Sequence, residues 1–176
     1  MFDSSYKFRY CNHNNAKKGQ YNVREHILTF SCKKKIQYIV RVEEYPHFMY
    51  VVKFYLKNHR LSDKKYNLLT NLHDPLSVIG TCVEIMLYFY AKNPSSSFAF
   101  IGANSLTEDS VKNTKRFRIY KRIMENSFSP FTFNHRIYED ESAYILLNKD
   151  NAEQNLLEKV EQVFTDCYLT NTNKDI

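Results

Sequence analysis

The sequence predicts an α+β fold, a single mixed, mostly antiparallel sheet with helices on its faces. Three patterns favour this class: alternating β-branched and aromatic runs fill the first half of the chain, one long apolar helix follows, and short strands then alternate with amphipathic helices. The 176 residues, of which 43% are hydrophobic and 25% charged, are typical of one globular domain. A helix between two strands of one sheet requires a crossover, so at least one strand pair is expected to be parallel.

Four strands are predicted before the first helix. The strongest alternating patterns lie at His26–Cys32, Ile36–Glu44 and Phe48–Lys57. Tyr66–Thr70 is predicted to be a short fourth strand. The segment Cys11–Gln20 is predicted to be a loop within an N-terminal arm of residues 1–20, because its residues are polar.

The hydrophobic period changes at Asp74, which is predicted to be a helix N-cap, with Pro75 at the first helical position. The helix Leu76–Ala91 is apolar almost all round, which is typical of a buried helix. Phe98–Ala103 is a short apolar strand that we expect at the centre of the sheet and parallel to a neighbour. A second helix, Ser110–Asn126, has an apolar face and, opposite to it, a basic face.

The chain is predicted to end with a hairpin and a third helix. The hairpin strands Phe131–Tyr138 and Ala143–Asn148 flank an acidic turn. Asp150 and Glu153 resemble a capping box that opens the helix expected over residues 150–166. The resulting element order is β-β-β-β-α-β-α-β-β-α.

Composition and spacing exclude several kinds of site. The three glycines, Gly19, Gly80 and Gly102, stand too far apart for a dinucleotide fingerprint or a P-loop. The four cysteines form no CxxC pair and no histidine has zinc-finger spacing, so no metal site is expected.

There is no signal-peptide pattern and no apolar run of about 18 residues, so we expect a cytoplasmic protein without membrane contact. The tail of residues 170–176 is expected to fray.

The order of strand, buried helix, strand, helix and hairpin over residues 36–148 resembles the core of the GNAT acyltransferase fold. The resemblance lies in topology, and it implies an acetyl-CoA-dependent N-acyltransferase whose fourth strand leads through a pyrophosphate-binding loop into a helix. The corresponding segment here, Thr70–Ser77, contains no glycine. Pro75 lacks an amide donor, and Asp74 brings a negative charge to the expected diphosphate position.

Near the second predicted helix, the stretch Asn113–Tyr120 keeps a spacing that is common in GNAT enzymes, an Asn followed seven residues later by a Tyr. The resemblance implies that Asn113 helps to hold the pantetheine arm of acetyl-CoA and that Tyr120 protonates the departing thiolate. Seven residues make about two helical turns, so both side chains are expected on one side of the helix. An Asn near a helix start is also typical of a cap, and a Tyr on an apolar face is typical of a core. His135, in a predicted strand, is a candidate general base, and its position is also typical of a core histidine.

The outward face of the same helix is the alternative candidate site, for nucleic acid. Lys115, Arg118 and Arg122 lie on this face, and two further basic residues, Arg116 and Lys121, lie nearby. Clustered cations bind phosphate groups, and the net charge of +6 favours a polyanionic partner, but charge runs are also typical of solvated faces. A third class is a protein-interaction module without enzymatic activity, such as one half of a bacterial toxin–antitoxin or defence pair. The segments 100–108 and 113–128 also resemble those of an uncharacterised bacterial protein family, which implies no activity.

Overall fold

The computed structural model describes residues 5–68, 74–105 and 108–169. Within them the strands are β1 (Phe8–Lys18), β2 (Tyr21–Ser31), β3 (Gln37–Tyr45), β4 (Met49–Leu56), β5 (Ser97–Ile101), β6 (Phe133–Tyr138) and β7 (Ala143–Asn148). The helices are α1 (Pro75–Lys92), α2 (Lys115–Ser127) and α3 (Leu156–Phe164), and a π-helical turn over Thr165–Leu169 follows α3. All seven strands belong to one sheet, so the predicted α+β class with a single mixed sheet is confirmed.

The strands lie in the order β1-β2-β3-β4-β5-β7-β6. Every neighbouring pair is antiparallel except β4 and β5, which run parallel and share three residue pairs, from Met49 opposite Ser97 to Val51 opposite Ala99. The expectation that Phe98–Ala103 forms a central strand with a parallel neighbour is therefore confirmed. The sheet consists of two antiparallel blocks, β1 to β4 and β5-β7-β6, joined by a short parallel seam.

The prediction of a loop at Cys11–Gln20 was wrong, since most of that segment belongs to β1. This strand pairs with β2 along its length, and the two are joined by a tight turn at Gly19, whose φ of +58° favours glycine. Most side chains of β1 are exposed, because it is an edge strand, so no apolar alternation marks it in the sequence.

The predicted strand at Tyr66–Thr70 was also wrong in its described part, because residues 66–68 form turns. Residues 69 and 70 lie outside the described residues. The predicted element order nevertheless agrees with the structure, because the missed strand β1 takes the place of the strand that does not form.

Two cores lie on opposite faces of the sheet. The first lies between the sheet and helices α1 and α2, and the second between the sheet and α3. Helix α1 is buried on most sides, as its composition predicts: Met86 and Phe89 are 2% and 4% exposed. The carboxylate of Asp74 caps it by accepting a hydrogen bond from the Ser77 N–H at 3.3 Å.

Helix α2 begins five residues later than predicted. Thr114 is its N-cap, and the Thr114 hydroxyl accepts a hydrogen bond from the Phe117 N–H at 3.2 Å. Asn113 therefore lies outside the helix, with a φ of +46°. The apolar face is confirmed, because the residues predicted on it are buried or half-buried: Phe117, Tyr120, Met124 and Phe128.

The predicted capping box at Asp150 and Glu153 was wrong, because α3 begins only at Leu156. The Asn151 amide holds the preceding segment by donating to the backbone carbonyls of His47 and Ser95 at 3.2 and 3.1 Å. These two bonds hold Asn151 against residues that precede β4 and β5, and the helix starts five residues after Asn151.

Candidate functional site

A cavity of about 500 Å³ opens where β4 and β5 diverge. Their pairing ends at Val51 and Ala99, although β4 continues to Leu56 and β5 to Ile101. The wall is formed by the second half of β4, residues just after it, the first turns of α1 and α2, and Tyr168 near the C-terminus. In open sheets, ligands bind outside the carboxyl ends of parallel strands, and this cavity has that position.

Arg116 of α2 fixes the segment that follows β4. Its guanidinium group donates hydrogen bonds to three backbone carbonyls, those of Tyr66, Asn67 and Leu68. The Asn67 amide adds a bond of 3.0 Å to the carbonyl of Asn104, which follows β5. Residues 66–68, which form part of one wall of the cavity, are thus hydrogen-bonded to the first turn of α2 and to the segment that follows β5.

Gly102 allows α2 to approach the end of β5. Its N–H donates to the Ser142 carbonyl at 2.8 Å, and its carbonyl accepts from the Thr114 hydroxyl. A Cβ at this position would lie 2.5 Å from the backbone nitrogen of Phe117. The absence of a side chain at Gly102 therefore brings the first turns of α2 to the cavity wall.

We expect Gly102→Ala to lower the free energy of unfolding by about 1–3 kcal/mol, because an added methyl group in a closely packed site forces the backbone to shift. Urea unfolding followed by circular dichroism measures this change. Gly19→Ala is the comparison, because a Cβ at position 19 meets nothing within 4 Å. Any loss of stability in that variant therefore comes from the positive φ of the backbone alone. Unfolding of Gly102→Ala at the wild-type urea concentration would contradict the close approach.

Tyr120 lies on the wall of the cavity. Its ring is held by Phe100 and Phe54, with ring centroids 5.2 and 6.4 Å away. Burial raises the pKa of its phenol well above the ordinary value, and this effect outweighs the opposing influence of Arg116. No residue in the described part of the chain hydrogen-bonds to its hydroxyl, and the raised pKa keeps this hydroxyl protonated at neutral pH.

The structure does not bring the other two predicted site residues to this cavity. Asn113 is exposed, and its N–H donates to the Glu139 carbonyl at 2.9 Å. The ring of His135 bridges the hydroxyl of Tyr144 and the carbonyl of Phe128. Because a carbonyl only accepts, Nε2 donates to Phe128, and Nδ1 is hydrogen-bonded to the Tyr144 hydroxyl. Both nitrogens are therefore engaged outside the cavity, and the proposed roles of Asn113 and His135 gain no support from their positions.

The five basic residues predicted as a nucleic-acid site differ in what they contact. Arg116 is bound to the segment after β4, Arg118 donates to the Asn113 carbonyl, and Lys121 forms an ion pair with Glu139 at 3.0 Å. Lys115 lines the cavity, while Arg122 is exposed. The acidic turn between β6 and β7 thus neutralises part of the surface that the sequence assigns to nucleic acid.

A buried charge cluster beside the cavity was not predicted. At its centre is Glu43 of β3, whose side chain is 1% exposed. Its carboxylate pairs with Lys18 and Lys53 and accepts hydrogen bonds from the hydroxyls of Tyr45 and Tyr168. Burial by itself raises the pKa of this carboxyl, but the two ammonium groups outweigh it and lower the pKa to about 2. Lys53 and Tyr168 also line the cavity, so the cluster supports its wall.

Comparison of the chain with protein-family models, with curated proteins and with solved structures returned no match. Among residues 5–68, 74–105 and 108–169, no helix has the length and apolar character needed to cross a membrane. The same residues contain no group of three or more His, Cys, Asp or Glu side chains placed to hold a metal ion.

Proposed function

We propose that the protein is a GNAT-like N-acyltransferase that binds an acyl-CoA thioester in the cavity between β4 and β5. The observation that carries the proposal is the divergence of the parallel pair around a cavity that the Tyr120 side chain helps to line. The element order supports it as well, since β4 leads into α1, β5 follows, and α2 precedes the last hairpin.

The cavity suits the acyl group and the pantetheine arm. Its volume of about 500 Å³ lies in the usual range for small-molecule sites, and much of its wall is apolar or aromatic.

The start of α1 does not suit a diphosphate. Pro75 has no N–H, and the Asp74 carboxylate already accepts from the Ser77 N–H and from the Tyr6 hydroxyl.

In this proposal the thioester supplies an activated acyl group, and Tyr120 is the general acid. A general acid must carry its proton at the working pH and hold it within reach of the leaving atom. The phenol meets the first condition, because its ordinary pKa of 10.0 already lies above neutral pH and burial raises it further. The packing of its ring against Phe54 and Phe100 supports the second, because it fixes the side chain among the residues that line the cavity.

Titration with acetyl-CoA in a thermal-unfolding assay tests the proposal. Binding to the native state alone is expected to stabilise the protein by about 2.7 kcal/mol at a hundredfold excess over Kd. Ala103→Phe, which fills part of the cavity, is expected to reduce this stabilisation, whereas Ala152→Phe at an exposed position is the matched control and keeps it. Absence of any shift in the wild-type protein would overturn the proposal.

A further inference from the structure

The charged residues on the cavity wall are all basic. Four of them line it, Lys53, Lys65, Lys115 and Arg116, and no Asp or Glu of the described residues does. Lys53 is compensated by Glu43, but that carboxylate also pairs with Lys18, so this cluster as a whole keeps a positive charge.

The other three basic groups have no ion-pair partner among the residues that the structure describes. The ammonium group of Lys65 lies over the rings of Tyr55 and Tyr66, 5.5 and 5.6 Å from their centroids. The guanidinium group of Arg116 is bound to neutral backbone carbonyls. The side chain of Lys115 is exposed at the cavity wall. The side chains that line the wall therefore carry an excess of positive charge next to apolar surface, where attraction for an anion is stronger than in open water, and Glu108 near Lys115 offsets only part of it.

Both helix N-termini at the cavity are already occupied by carboxylates of this chain. Asp74 accepts from the first turn of α1. Glu108 accepts from the backbone N–H groups of Ser105 and Lys115 at 2.8 and 2.9 Å, at the start of α2. A ligand anion consequently meets lysine and arginine side chains here, instead of the amide groups that commonly bind phosphate at helix N-termini.

We infer that the cavity is selective for ligands that carry phosphate, and that Lys65 and Lys115 bind the phosphate groups while Arg116 adds positive charge. The inference rests on the proposed function, in which the ligand is an acyl-CoA, and it assigns the diphosphate to side-chain cations. Lysine ammonium groups bind phosphate as point charges and tolerate different geometries, so no glycine-rich loop is required.

Calorimetric titration with three probes tests the inference. Acetyl-CoA carries phosphate groups, acetyl-pantetheine carries the same arm without them, and inorganic pyrophosphate carries the charge without the arm. In the double variant Lys65→Met/Lys115→Met, we expect the Kd for acetyl-CoA to rise at least tenfold and pyrophosphate binding to be lost. The Kd for acetyl-pantetheine is expected to change less than twofold. Lys7→Met/Lys34→Met, which removes two exposed lysines elsewhere, is the matched control.

The outcomes separate the inference from the proposed function. If both thioesters bind and the double variant changes neither Kd, the inference is overturned and the proposed function stands. If neither thioester binds but pyrophosphate binds and is lost in the double variant, the proposed function is overturned and the phosphate site stands. If none of the three probes binds, both are overturned.

Discussion

Tyr120→Phe is expected to lower acyl-transfer turnover at least tenfold while the domain stays folded. The change removes the hydroxyl and keeps the ring between Phe54 and Phe100. General acid catalysis contributes roughly 10²–10⁴-fold to such steps, and the ring alone cannot donate the proton. Release of free CoA thiol from acetyl-CoA, measured with a panel of small amines and with lysine-containing peptides, gives the turnover.

Tyr144→Phe is the matched control for this prediction. It removes a hydroxyl that is hydrogen-bonded to His135 and does not line the cavity. We expect a loss of stability of about 1 kcal/mol and unchanged turnover. If Tyr120→Phe and Tyr144→Phe have the same turnover as the wild-type protein, Tyr120 is a core residue with no part in the chemistry.

Glu43→Gln is expected to lower the free energy of unfolding by about 3–5 kcal/mol. The substitution keeps the shape of the side chain and removes its charge, which leaves the ammonium groups of Lys18 and Lys53 next to each other without a carboxylate. Removing one partner of a buried ion pair has a large cost because the remaining charges lose their compensation, and the Lys53 and Lys18 side chains are only 23% and 32% exposed. Urea unfolding gives the value, and Glu139→Gln at an exposed pair is the control, with an expected cost of no more than about 1 kcal/mol.

The double variant Glu43→Gln/Lys53→Met separates charge from packing. It removes one of the two uncompensated ammonium groups, so we expect part of the stability to return. A double variant less stable than Glu43→Gln alone would mean that Lys53 stabilises the fold by its packing against the rings of Tyr66 and Tyr168.

The charge cluster around Glu43 is expected to make the protein less stable at low pH. The pKa of Glu43 is about 2 in the folded protein, below the ordinary value of 4.5. The contribution of the carboxylate is therefore complete above pH 4.5 and is lost as the pH falls through 2. We expect acid titration of Glu43→Gln to lack this part of the wild-type loss of stability, and identical acid profiles would contradict the assignment.

The parts of the fold that could be predicted are those where burial leaves a period in the sequence. Helix α1 is apolar on nearly all sides, and β5 has almost only apolar residues, so both were recognised with their positions in the core. Strand β1 could not be recognised, because an edge strand with exposed side chains has no such period. The start of α3 was misplaced, because the amide of Asn151 forms contacts with residues that are distant in sequence.

The residues of the candidate site also differ in whether a sequence pattern predicts their positions. The position of Tyr120 follows from the apolar face of α2, and this period is visible in the sequence. Glu43 and Lys53 lie at alternating positions of β3 and β4, and such a pattern predicts a solvent-facing side of a sheet. Glu43 is buried and Lys53 is partly buried because Tyr168, more than a hundred residues away in sequence, contacts both, and no local pattern carries that information.

Because only three residue pairs join β4 to β5, we expect the first four strands to pair with one another during synthesis, before β5 joins them. Their pairing is antiparallel between sequence neighbours, which favours rapid formation. Parallel pairing of β5 must wait for the crossover through α1. Synthesis of the segment from β4 to β5 takes on the order of a few seconds. During that time β4 is an unpaired edge strand with mostly apolar residues, and such edges can pair with strands of other chains. We therefore expect nascent chains of this protein to be most prone to aggregation between the completion of β4 and the arrival of β5.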